Sequence, residues 1–162
     1  MQSALLDDLV ASLEKSADIL ADLIRSIPEK DLTVKRRPGF WSVQHHVYHL
    51  ANVQELLYQR LLKFDIEKNP VFVPFDPEKD DGRYRSFGSA AEALDAYQEI
   101  RRRQIDLINS MDDEKLGRKG SHPEYKLYTP VILIRHLLFH DYWHMYRIEE
   151  VWLTTDKYLP LQ

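Results

Sequence analysis

The stretch TPVILIRHLLFHDYWHMYRIEEVW, residues 129–152, decides the fold. Thr129 followed by Pro130 reads as a helix start: a hydroxyl that caps free backbone amides, then a proline at the one place where its missing N–H costs nothing. Beyond it Leu133, Leu137, His140, His144 and Val151 return at intervals of three, four and seven residues, so they line one side of a helix reaching to about Thr155. That side is apolar except for its histidines. Such a stripe must bury itself against other helices, and the rest of the chain supplies three.

All eight prolines and all five glycines fall between or at the edges of four long segments. The first runs from about Ser3 to Ser26, with Leu5, Leu6, Leu9, Leu13, Ala17, Leu20 and Ile24 at helical spacing. Ser42 can cap a second, to about Phe64, striped by Val43, Val47, Leu50, Leu57, Leu61 and Phe64. Ser89 and Glu92 form a capping box for a third, to about Met111, through Ala93, Tyr97, Ile100, Gln104, Leu107 and Ile108. The runs VFVPF and KLYTP have extended character, but Pro74 and Pro130 argue against a sheet, and no strand pattern is expected.

About 24 residues join the second and third helices, too many for a hairpin and enough to run the length of a bundle. The fold class expected is therefore all-α, a four-helix bundle with a crossover between helices 2 and 3 (up-down-down-up), in one domain spanning 1–162. A weak internal repeat agrees: LIRSIPEKDLTVK (23–35) and LINSMDDEKLGRK (107–119) share five of thirteen positions, as two related helix pairs would.

Composition narrows the function classes. The net charge is −4, and the compact basic cluster Arg101-Arg102-Arg103 shares its helix with Glu92, Asp95, Glu99 and Asp106, so nothing favours nucleic acid. No apolar run is long enough to cross a membrane, and the acidic, amphipathic start is unlike a secretory signal; a cytoplasmic protein is expected. Cysteine is absent, which removes disulfides, thiolate ligands and a cysteine nucleophile.

Six of the seven histidines sit on two helices: His45, His46 and His49 on the second, His136, His140 and His144 on the fourth. Residues four apart differ by about 40° in direction and lie roughly 5–6 Å apart at Cβ, so two imidazoles there can converge on one ion. Three neutral imidazoles at about 2.0–2.1 Å would hold zinc or a related divalent ion with positions left open. Spacing alone does not choose between His136/His140 and His140/His144, because the outer two lie symmetrically about His140. It also admits histidines that only hydrogen-bond within the bundle.

Two fragments carry a family resemblance. WSVQHHVYHLANVQELLYQRL (41–61) and IRHLLFHDYWHMYRIEEVW (134–152) resemble the two signature segments of the DinB/YfiT-like superfamily, a tryptophan-serine helix start leading to a His-Leu pair, and later a His-Asp-x-x-His motif. The resemblance implies a four-helix bundle with the same crossover, and a metal site of one histidine from helix 2 and two from helix 4. Matched by position, these are His49, His140 and His144. The chain departs where many relatives carry a glutamine after the last ligand and it has Arg147 and Ile148.

His45, His46 and His136 lie outside the family set and read as surface or supporting residues. His45, His46 and Asn52, one turn after His49, are the candidates to handle protons or orient a water in catalysis. Asp141 points away from its neighbour His140 and reads as a salt-bridging or supporting carboxylate, Gln54 and Glu55 as surface or interface groups, and Trp41 and Trp143 as core aromatics.

The chemistry expected is activation of a nucleophile at a divalent ion, zinc or nickel first and iron third. The resemblance implies a low-molecular-weight thiol in an S-transferase reaction; a water, in hydrolysis of a small molecule, is the alternative. A non-catalytic metal-binding or structural bundle, or a bundle holding haem between histidines, are further readings. Partners expected are a small-molecule substrate and, from the resemblance and the aromatic-rich helices, a second copy in a homodimer.

Overall fold

Ser42, Ser89 and Thr129 each accept a hydrogen bond from the backbone amide three residues on, and each opens a long helix. The computed structural model describes residues 2–74 and 85–159. Among them α1 spans Gln2–Ser26, α2 Glu29–Leu32, α3 Val43–Ile66, α4 Ala90–Ser110, α5 Asp113–Leu116 and α6 Pro130–Leu153. The expected Ser89 box forms with a shift: Glu92 takes Ser89 Oγ on its amide, while its carboxylate reaches back to the Gly88 amide at 2.8 Å.

The four long helices make a ring in which α3 packs against α4 and α6, and α1 closes it against the same two. Two apolar clusters divide the core. One joins Leu9 and Leu13 of α1 to Leu57, Leu61 and Phe64 of α3, Ile105 and Ile108 of α4, and Leu133 and Leu137 of α6. The other joins Leu20 and Ile24 to Val43, Val47 and Leu50, to Ala93 and Tyr97, and to Met145 and Ile148. The C-terminal halves of α3 and α4 thus share one cluster with the N-terminal halves of α1 and α6, so α3 and α4 run in the same direction. Phe72 is buried in the first cluster and Phe87 in the second. The expected crossover between them falls largely on residues 75–84, outside the described residues.

Between the clusters lies a polar layer to which every long helix contributes. Asp141 of α6, fully buried, pairs with Arg101 of α4 at 2.6 Å, and accepts from Ser16 of α1 at 2.9 Å and from Gln54 of α3 at 3.0 Å. Gln104 adds a bond to Gln54 at 2.9 Å, and Arg101 one to the Tyr97 hydroxyl at 3.1 Å. Asp141 is the salt-bridging carboxylate expected. Gln54, expected at the surface or at an interface, is buried because it completes this layer, and Glu55 beside it is exposed. The layer also turns α4 slightly from its apolar pattern: Arg101 and Ile105 face in, and Ile100 is only half-buried.

Two further expectations are corrected. Residues Gly120–His122 (β1) and Tyr125–Tyr128 (β2) form an antiparallel pair, with Val71 bridged to Ser121, where no sheet was expected. Strands of three and four residues are too short for alternation to show, and Pro130 lies beyond the pair, at the first position of α6. Trp41 and Trp143 are not core residues; they are 37% and 56% exposed. The repeat, in contrast, has a local counterpart: α1 and α4 end at Ser26 and Ser110, whose hydroxyls bond back to Leu23 and Leu107, both at 2.7 Å, before one-turn helices α2 and α5.

Candidate metal centre

His49 on α3 and His140 and His144 on α6 face each other across the α3–α6 contact, beside the polar layer. The three offer one nitrogen each with all three atoms within 4.8 Å of one another. His49 Nε2 and His140 Nε2 stand 3.3 Å apart. Two nitrogens bound at about 2.05 Å in a tetrahedral site would be separated by about 3.3 Å, so this edge already has the spacing of a ligand pair. The chemistry of the donor set agrees. Neutral imidazoles are common ligands of zinc and related ions, and these imidazoles are neutral. Burial pulls His49 down to about 4; burial and then the neighbouring His49 pull His140 down to about 3. Burial and then His140 bring His144 down to about 2. Nδ1 of His140, which would carry the ring proton with Nε2 as the ligand atom, is buried with no hydrogen-bond partner among the described residues.

The loop before α3 closes over this cluster. Arg36 donates to the carbonyls of Val151 and Thr154, each at 2.7 Å, and so ties that loop to the end of α6. Gly39 then takes a left-handed turn at φ 82°, where a side chain would be strained. Two residues later Trp41 lies over the histidines, stacked on His144 at 6.0 Å and 5.0 Å from His49 between ring centres. Trp143 meets His144 edge-on at 4.6 Å. Both tryptophans therefore belong to the rim of the site, a role that the position of Trp143 next to His144 could have suggested for that residue.

None of the other candidate residues belongs to the group of three. His136 lies one turn before His140, with its Nδ1 3.4 Å from the Tyr125 hydroxyl, outside the group of three. His45 is exposed, with Nδ1 2.7 Å from its own helix cap Ser42. Asn52 turns its amide to the linker: it accepts from the Arg85 amide at 2.7 Å and donates to the Arg85 carbonyl at 3.0 Å. Its bonds thus tie the chain entering α4 onto α3. His46 is buried and its Nδ1 is 2.9 Å from Nδ1 of His144. Burial pulls His46 down to about 4, with Arg147 adding to the effect. Arg147 itself is largely buried and paired with Glu150, and Ile148 lies in the second apolar cluster. His122, the seventh histidine, is buried under Phe72, Tyr125 and Tyr128 at the sheet, away from this cluster.

Residues 12–152 match the model of the DinB superfamily. The chain belongs to that superfamily. Its fold is that of YfiT from Bacillus subtilis, described as a probable metal-dependent hydrolase with an unusual four-helix bundle topology. The two superpose with a TM-score of 0.75 over 90% of this chain and 85% of that one, at 22% identity. Similar proteins from Bacillus cereus (strain 03BB102) and Oceanobacillus iheyensis carry the name "Putative metal-dependent hydrolase". The first is 26% identical over 120 residues, 74% of this chain and 69% of its own length. The second is 24% identical over 121 residues, 74% of this chain and 70% of its own length. Within this superfamily member, the three-histidine group fits a divalent metal ion. No helix among the described residues is long and apolar enough to cross a membrane.

Proposed function

We propose that this chain holds one divalent ion through His49, His140 and His144 and hydrolyses a bond in a small molecule. The observation that carries the reading is the convergence of three neutral imidazoles from two helices within 4.8 Å under Trp41. A divalent ion held by three histidines keeps open positions, acidifies a water toward neutral pH and polarises a carbonyl. The protein's own part is to present three lone pairs from the two rigid helices α3 and α6. Trp41 and Trp143 shield one side of the site from solvent and offer aromatic surface to an organic substrate. The names of the relatives support hydrolysis over the other reactions.

A low-molecular-weight thiol is the second nucleophile this reading admits. The chain contains no cysteine, so a sulfur nucleophile would come from outside it. The test begins with elemental analysis of tag-free protein purified without chelators, beside His140→Ala/His144→Ala with its helix content checked by circular dichroism. About one zinc, nickel or iron per chain, lost in the folded variant, is the expected result. Metal-loaded protein is then assayed on small esters and amides with and without added thiol. Turnover without thiol supports hydrolysis, and turnover only with thiol supports transfer. No metal in the wild type after reconstitution overturns the proposal.

A further inference from the structure

His46 makes a contact that the three ligands alone do not explain. It is only 2% exposed, and its Nδ1 lies 2.9 Å from Nδ1 of His144. Two neutral imidazole nitrogens at that distance share one proton: one donates and the other accepts. The second nitrogen of His144 decides the direction. Were His144 Nδ1 the acceptor, its proton would sit on Nε2, and neither nitrogen would have a lone pair left for an ion. Donation from His144 Nδ1 to His46 Nδ1 leaves Nε2 of His144 bare and puts the proton of His46 on its own Nε2, a buried atom with no hydrogen-bond partner among the described residues.

We infer that His46 is a positioning residue of the metal centre: its Nδ1 accepts from His144 Nδ1–H, and thereby fixes the tautomer and ring orientation that present His144 Nε2 to a divalent ion. The inference rests on the three-histidine reading above and deepens it. Metal-binding histidines commonly donate their second N–H to a carboxylate, a backbone carbonyl or water. The carboxylate nearest in sequence, Asp141, is committed to Arg101, Ser16 and Gln54. An imidazole from the facing helix takes the place instead. His46 and the ligand His49 are three residues apart on α3, so one helix turn supplies both a ligand and the support for a ligand on α6. Trp41 packs edge-on against His46 at 5.1 Å and stacks on His144, which holds both rings in register. Being uncharged, His46 orients its partner without adding negative charge to the site.

The direct test is a long-range proton–nitrogen correlation spectrum of the histidine rings in zinc-loaded protein. The expected pattern has His144 protonated at Nδ1 and zinc-bound at Nε2, and His46 unprotonated at Nδ1. Zinc bound to Nδ1 of His144, or a proton on Nδ1 of His46, overturns the inference even if every variant fails to fold. Zinc affinity by chelator competition supplies the second readout. His46→Leu is expected to weaken binding about 10- to 100-fold, and His46→Asn, whose Oδ1 can stand near the lost Nδ1, to restore most of it. Unchanged affinity in folded His46→Leu overturns the inference, as does equal loss in both variants. His140→Ala separates the two levels. If it abolishes zinc binding while His46→Leu does not weaken it, the three-histidine site stands and the role of His46 falls. If His140→Ala binds zinc as the wild type does, or the wild type binds none, the site itself falls and the inference with it.

Discussion

Replacing Asp141 with asparagine probes the polar layer that joins the four long helices. Asp141 is 0% and Arg101 2% exposed, with 2.6 Å between them. Burial pushes the Asp141 carboxyl up, while Arg101 and the side chains of Tyr97, Ser16 and Gln54 pull it back. Asp141→Asn keeps the shape and an acceptor oxygen but leaves a buried guanidinium facing a neutral amide. Nε and Nη1 of Arg101 already lack partners among the described residues, so no second acceptor is at hand. Removing one partner of a buried pair costs about 3–5 kcal/mol. In a domain of this size 1 kcal/mol moves Tm by about 2–4 °C, so a fall of about 6–20 °C is expected. Arg101→Met/Asp141→Leu removes both charges and should recover at least about 1 kcal/mol of that loss. Urea unfolding with comparable m-values measures both. A single variant within about 1 kcal/mol of wild type would refute the reasoning, since a stranded buried charge costs more than that. A double variant no more stable than the single would move the cost to the lost hydrogen bonds.

Acid should destabilise the metal-free protein. Burial holds His46 and His49 near 4, His140 near 3 and His144 near 2, whereas the unfolded chain takes up protons near pH 6.5. Across that window the unfolded state binds more protons, so stability falls as pH drops below about 6.5 toward the folded values; a urea midpoint unchanged across it contradicts the burial of these rings. Zinc added to metal-free protein should alter tryptophan emission, because Trp41 and Trp143 both touch His144; Trp41→Phe/Trp143→Phe should lose the change, and its persistence from Trp152 alone would count against the placement of the site. Gly120→Ala puts a Cβ 2.6 Å from Cε2 of Phe72, which should cost about 1–3 kcal/mol in chemical denaturation; a neutral variant would mean the sheet yields freely at Phe72.

Much of this architecture is local and therefore legible along the chain. Ser42, Ser89 and Thr129 act on amides three residues away, and prolines stop helices by their own stereochemistry, so the long helices begin and end near their expected places. The burial of Gln104 was also within reach, since it interrupts an apolar stripe where only a polar partner would make it stable. Gln54, Arg101 and Ser16 were less legible, because each is polar on a helix with polar faces of its own. Only the partner helices say which of these polar residues are inside.

The site divides in the same way. The residue types, their four-residue spacing and the absence of cysteine determined by themselves that two helices carry imidazoles able to share an ion, with no thiolate among the possible ligands. The tertiary structure decided which imidazoles meet. His136 and His144 lie symmetrically about His140 on the helix, so no periodicity separates them. The rotation of α6 against α3 does: it brings His144 beside His49 and onto His46, and leaves His136 with Tyr125. That rotation is set by burial of the apolar clusters and the Asp141 layer, which couple residues far apart in the chain.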